Sequence, residues 1–321
     1  MTSFNSALAQ GIAVPPSPQI RPGWDEPLMI RKVPDCKPRP AYLAHPRLRR
    51  ASAVSHYAGA AAIEAIGPNH CSSKRLGLVL CLQAGCVQYS DRFFSETLSD
   101  PATASPLLFP ETVLAAPASH IAAVLKNVTV TQTLVGDPAS FLQCLVLGAE
   151  WLLAGEVDQC IVIGAEESSW IVSDAFRFWD RQLVASSGTG ALCLTLDPAA
   201  SIGVALDRVT DAHSFTATQS RLKAAAQMRS QLSASAPDRL LCDGLQNLHQ
   251  TDAPERTAWS DWSGPRISPK LILGEGLCAA AAWQCLAACN AIASGHCASA
   301  IASVVGCNQQ AIGAEFIHSS P

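Results

Sequence analysis

Long basic runs, Cys-x-x-Cys pairs and extended apolar segments are all missing from this 321-residue sequence, and each absence removes a class of function. With a formal charge of −4 and no long basic run, the chain lacks the footprint of a nucleic-acid-binding surface. Its longest apolar run, residues 277–289, is interrupted by Gln284. It falls short of the roughly 20 residues that cross a bilayer, so no membrane association is expected. Residues 1–23 carry no basic segment ahead of an apolar core, so no secretory signal is expected. Cysteine is plentiful, but the thirteen residues are odd in number. Most, such as Cys81, Cys160, Cys193 and Cys285, sit in apolar stretches, where a free thiol acts as a small hydrophobe. A reducing cytoplasm is the expected compartment. An apolar content of 49% suffices for a large core, in one large or two fused α/β domains.

The most informative stretch is residues 128–167, VTVTQTLVGDPASFLQCLVLGAEWLLAGEVDQCIVIGAEE. Its first eight residues alternate and are rich in β-branched side chains, as a strand requires. Gly136-Asp137 supplies turn chemistry, and Pro138 suits the first position of a helix, where a missing N–H costs nothing. Residues 139–155 predict a buried helix, and residues 158–164 a second apolar strand. Strand, elbow, helix and parallel strand together predict a right-handed crossover. Such an elbow aims one residue at a helix N-terminus, the usual seat of a nucleophile facing an anionic intermediate. Pro138 brings neither a nucleophilic side chain nor an N–H.

Along the rest of the chain, residues 1–40 are rich in proline and polar side chains and predict an irregular N-terminal arm. A basic hexapeptide, HPRLRR at residues 45–50, precedes a small-residue helix over 54–66. Residues 75–82 (RLGLVLCL) predict a strand buried on both faces. A short amphipathic helix is expected at 91–98, and a helix broken near Pro117 at 112–125. Strands are expected at 188–196, 202–209, 239–242 and 298–305. Helices are expected at 217–232, from Pro254, and at 277–294. Both halves run strand, turn, buried helix and strand, which suits two similar α/β halves.

These segments, in this order, resemble a β-ketoacyl synthase of the thiolase fold. The likeness runs from about residue 45 to the C-terminus. It rests on FFSETLSDPATASPLLFPETVLAAPASHIAAVL before the elbow, the elbow unit, GTGALCL, and SPKLILGEGLCAAAAWQCL. The resemblance implies an α/β fold in five layers (α/β/α/β/α) with two related halves and a reduced N-terminal element. The divisions would be an arm at 1–40, an N-terminal half at 41–198 and a C-terminal half at 199–321. Active members use one cysteine and two histidines. The resemblance places Pro138 at the cysteine. The first-histidine segment reads Cys242-Asp243-Gly244-Leu245, and Glu275 stands where the second histidine follows Lys270 by five residues; Lys270 alone is retained. The late glycine-rich segment reads Gly306-Cys307-Asn308-Gln309. Three positions have changed in one direction: nucleophile and amide are lost, and two carboxylates stand where an enolate would form.

The resemblance is to chain-length factors, the catalytically dead ketosynthase-like subunits of type II polyketide systems, and within that wider group, which extends to fatty-acid-like pathways, it places the chain nearer the partner subunits of aryl-polyene-type pathways than the aromatic systems. It implies a heterodimer with an active ketosynthase, contact with acyl carrier protein through that partner, and no cofactor or metal. One alternative is an acyltransferase or hydrolase using Asp243 and Glu275 as paired carboxylates; another is a structural homodimer. Among single residues, Cys144 reads as core, Ser140 as a cap or packing residue, and His120 as a hydrogen-bonded structural histidine. Cys285 and Cys289, four apart and near His296, read as core rather than metal ligands.

Overall fold

The computed structural model describes residues 2–34, 38, 40–67, 74–197, 202–216 and 220–319. Two sheets form its framework, and each repeats the other's plan. The first is ordered Val128–Val135, Leu76–Leu82, Gln159–Glu166, Gly188–Thr195. The first three strands are parallel and the last is antiparallel. The second runs Arg266–Ile267, Arg239–Cys242, Ser299–Val305, Gln310–His318, Val204–Val209. Again the first three are parallel and the next antiparallel. In both sheets a long buried helix follows the parallel edge strand and leads to the third strand: Ser140–Leu153 in one half, Cys278–Ala293 in the other.

Strand alternation sorts the side chains into layers. In Leu76–Leu82, the leucines at 76, 78, 80 and 82 face the outer helices Ala53–Ile66 and Ala116–Leu125. Val79 and Cys81 face inward, onto the two long helices. From the other side Ala300, Ala302 and Val304 meet the same helices, while Ile301 and Val305 pack outward near Ala224, Ala225, Met228 and Trp259. The order is therefore helix, sheet, helix pair, sheet, helix: the expected five-layer α/β fold with two related halves. Cys278–Ala293 is buried almost all round, because its alanines let the sheets close on it. No helix of the described residues is long and apolar enough to cross a membrane.

Some elements differ from the sequence reading. Pro117 lies in the first turn of Ala116–Leu125 and opens that helix instead of breaking it. The amphipathic helix is longer, Val87–Ser99, and the helix expected from Pro254 begins earlier, at His249. Residues 217–219 of the expected 217–232 helix lie outside the described residues; the helix runs Arg221–Ser230. The final strand Gln310–His318 was not foreseen.

The N-terminal arm is not irregular. It carries a helix, Thr2–Gln10, and a hairpin of Ser17–Gln19 with Leu28–Arg31. Leu28–Arg31 adds in parallel to Ala185–Ser186. Asn290 Nδ2 donates to Asn5 Oδ1 at 2.7 Å, Val14 N to Ile272 O at 2.9 Å, and Ile30 is fully buried. Long-range partners organise this segment, and its own composition does not announce them. Residues 1, 35–37 and 39 of the arm lie outside the described residues, as does the expected division at 198/199.

Candidate functional site

The elbow is built by a ladder that ends and a carboxylate that turns the chain. Gly136 N still donates to Leu82 O at 3.1 Å, extending the strand. A Cβ on Gly136 would run into the Ser140 hydroxyl, so the tight approach of turn to helix requires glycine. Asp137 then closes the turn from within. Its Oδ1 accepts Ala139 N at 3.1 Å, and its Oδ2 accepts Gln309 N and Gln310 N, each at 3.1 Å. Burial pushes the Asp137 carboxyl up, and those amides pull it back. Two amides of the facing loop, those of Gln309 and Gln310, are thus taken up by a carboxylate of the protein itself. Gln310 Nε2 also donates to Ser140 Oγ (3.1 Å) and Gln143 Oε1 (3.0 Å), so Ser140 is held in a packing network.

Pro138 projects from this elbow into a cavity. Across it stand Lys270, Glu275, Glu255, Asp252, Arg221 and Cys307, with Phe176, Trp179, Leu183, Leu277 and Val305 as an apolar wall. Lys270 and Glu275 form a buried ion pair, Nζ to Oε2 at 2.7 Å. Glu275 Oε2 also accepts Gln246 Nε2 at 2.8 Å, and Oε1 accepts Leu277 N at 2.9 Å. Leu277 has φ 49°, a left-handed backbone unusual for leucine, and in it the Leu277 N–H donates to Glu275. Both carboxylate oxygens of Glu275 are therefore occupied. Breaking a buried pair of this kind costs about 3–5 kcal/mol.

Asp243 is buried but is not among the residues lining the cavity. Its Oδ1 accepts Ser268 Oγ at 2.5 Å and Leu245 N at 3.2 Å, and Arg266 Nε lies 3.2 Å from Oδ2. Sequence reasoning put Asp243 and Glu275 in one pocket; the fold brings only Glu275 into it, beside Lys270 and Pro138. Asp243 follows directly on strand 239–242, whose parallel pairing with 266–267 continues in the bond from Asp243 N to Ile267 O at 3.0 Å and brings its carboxylate to Arg266.

Sequence reasoning missed two buried carboxyl groups and one half-buried guanidinium. Glu255 accepts Ser303 Oγ at 2.5 Å and Gly244 N at 3.1 Å; burial first, then neighbouring Asp243, push its carboxyl up to about 8. Glu166 receives the amides of Gln83, Ala84 and Gly85, yet full burial still pushes it up to about 7. The guanidinium is that of Arg221, which donates to Gly306 O and Thr251 O. No short-range pattern marks them, since most of their partners lie tens of residues away. Cys307, which sequence reasoning assigned no role, lines the cavity, but burial pushes its thiol up to about 11. It stays protonated and is a poor nucleophile. Cys144, Cys285 and Cys289 are buried within the central layer. His120 Nε2 lies 2.9 Å from Glu111 Oε1, a buried pair remote from the cavity wall.

No family model and no curated protein matches the chain. Solved structures do. The ishigamide ketosynthase/chain length factor is similar over 99% of this chain and 95% of its own, with a TM-score of 0.79 at 15% identity. A β-ketoacyl synthase from Burkholderia phymatum is similar over 98% of this chain and 95% of its own, with a TM-score of 0.76 at 16% identity. A type II polyketide synthase acyl-carrier protein in complex with its ketosynthase gives 90% and 88% coverage, a TM-score of 0.70 and 12% identity. At such identities the likeness speaks for architecture, and it is consistent: this chain has the thiolase-like fold of the ketosynthases.

Proposed function

We propose that this chain is a non-catalytic, chain-length-factor-type subunit that pairs with an active ketosynthase and meets acyl carrier protein through that partner, in the cytoplasm. The elbow carries the reading. Acyl transfer needs an atom to acylate and a vacant oxyanion donor. Pro138 supplies neither, and Asp137 holds two amides of the loop opposite, those of Gln309 and Gln310. One oxyanion donor is typically worth about 2.7–4 kcal/mol of transition-state stabilisation. Glu275, at the position of the second histidine, is spent on Lys270, Gln246 and the Leu277 amide.

Pairing is supported by the first sheet's edge. Val128–Val135 is an edge strand, with Val135 exposed, and on the helix that follows Val146 and Leu153 are exposed as well. An edge of this length is normally covered by another chain. The ketosynthase/chain length factor and the carrier-protein complex among the similar structures have the assembly that we extend to this chain. The cysteines among the described residues are free thiols, which fits a reducing compartment. The halves would then comprise residues 41–198 and 199–321.

The test is intact-mass spectrometry of the purified chain after incubation with an acylated carrier protein. Unchanged mass is expected. A covalent acyl adduct on this chain alone would overturn the proposal.

A further inference from the structure

The two sheets repeat one plan but differ by a strand. Beyond the antiparallel strand Gln310–His318 the second sheet carries one more, Val204–Val209, which pairs with it antiparallel and closes that side. The first sheet stops one strand earlier, at Gly188–Thr195. That strand pairs with Gln159–Glu166 on one side, and no strand among the described residues pairs with the other. An open edge of this kind presents a row of N–H and C=O groups ready to continue the ladder.

The ladders fix which residues correspond. Gln159 opposite Thr195 begins one, and Ser299 opposite Ile317 begins the other. Leu192, Leu194 and Leu196 therefore stand where Ala314, Phe316 and His318 stand in the second sheet. There Val209 lies opposite Ala314, Leu206 opposite Phe316 and Val204 opposite His318, and those three apolar side chains pack onto the central layer. Under that cover Ala314 and Phe316 are buried. Leu192 and Leu194 face the same central layer yet stay half-buried. Leu196 is 61% exposed. Ladder and apolar cover thus both end one strand short at the same place.

We propose that the open side of Gly188–Thr195 is a docking site for an extended segment of another polypeptide, added antiparallel beside residues 192–196 with apolar side chains at alternate positions. Backbone bonds would give such a strand its affinity, and the side chains that meet Leu192, Leu194 and Leu196 its specificity. Helices Ala53–Ile66 and Cys278–Ala293 flank this strand, as Arg221–Ser230 and Cys278–Ala293 flank Gln310–His318. A single extended segment enters between two helical layers, whereas a second folded copy would bring its own flanking helices with its edge. The site lies at the opposite end of the sheet from Val128–Val135. It does not rest on the pairing proposed above, so either can fail alone.

A synthetic peptide with the sequence of residues 203–210, GVALDRVT, is the probe, because that segment fills the equivalent place in the second half. Fluorescence anisotropy of the labelled peptide with the full chain should saturate. Hydrogen exchange should show amides within residues 192–196 slowed at least about tenfold by the peptide, and those of residues 128–135 unchanged. The same peptide with aspartate in place of its leucine should bind at least about tenfold more weakly, since burial of that side chain is lost. Leu196→Asp in the protein should weaken the parent peptide similarly while leaving the melting temperature unchanged, because the residue is exposed. Absence of binding up to roughly 1 mM, equal binding of the aspartate peptide, unchanged affinity in Leu196→Asp, or slowed exchange only outside residues 192–196 would overturn the proposal. So would slowed exchange of residues 192–196 in the chain alone that grows with its concentration, which would make the occupant a second copy.

Discussion

The residue before Pro138 bears a carboxylate, and its oxygens are engaged by backbone amides. Asp137 collects the amides of Ala139, Gln309 and Gln310, and Gly306 must stay glycine because a Cβ there would overlap the Asp137 carboxylate. Pro138→Cys would therefore restore a thiol and an amide without freeing the loop or dissolving the Lys270–Glu275 pair. No condensation is expected when the variant is assayed with acyl and malonyl carrier protein; measurable turnover would show that these neighbours matter less than argued. Glu255 permits a prediction of pH dependence. Its folded pKa of about 8 lies above the ordinary 4.5. The stability it contributes is therefore complete below about 4.5 and is lost as pH rises through about 8. Glu255→Gln, neutral at every pH, should gain on the parent as pH rises across that window. Urea midpoints measured at several pH values check this, and a parallel pair of curves would refute it.

Among the elements, period and turn chemistry made much of the framework legible. The strand at 76–82 and the two long central helices are announced by short-range pattern because each is buried along its length, and the edge strand at 128–135 by its β-branched alternation. The elbow was legible for the same reason: Gly-Asp-Pro between an alternating strand and an apolar helix has few other uses. What remained hidden depends on distant partners. Leu28–Arg31 is a strand because Ala185–Ser186 offers it an edge. Gln310–His318 includes Gly313 and Ala314 and lacks alternation, since both its faces are buried. Asp243 left the cavity because Ser268 and Arg266 claim it. The edge strand carries a prediction of its own. Thr131, opposite Leu78, lies mid-strand and exposed. Thr131→Pro should deny a partner strand a regular edge. Loss of the heterodimer in analytical ultracentrifugation is expected, with far-UV circular dichroism retained; an intact complex would count against this edge as the interface.

At the scale of the whole molecule, two copies of one plan share a middle layer, and the arm is fastened across the second half of the chain. Ile30 is fully buried where the arm meets Ala185, Phe176 and Leu277. Ile30→Ala should cost about 2–5 kcal/mol, as expected for a large-to-small change in a closed core; a change below about 1 kcal/mol in chemical denaturation would show the arm to be loosely held. The fastening also bears on how the protein is made. Asn5 bonds to Asn290, 285 positions later in the chain. At about 5–20 residues per second, roughly 15 to 60 s of translation separate the two. Throughout that interval Phe4, Leu8 and Ile30 have no finished surface to cover them. The arm is therefore enclosed long after it is made, and until then its apolar residues are open to chaperones and proteases.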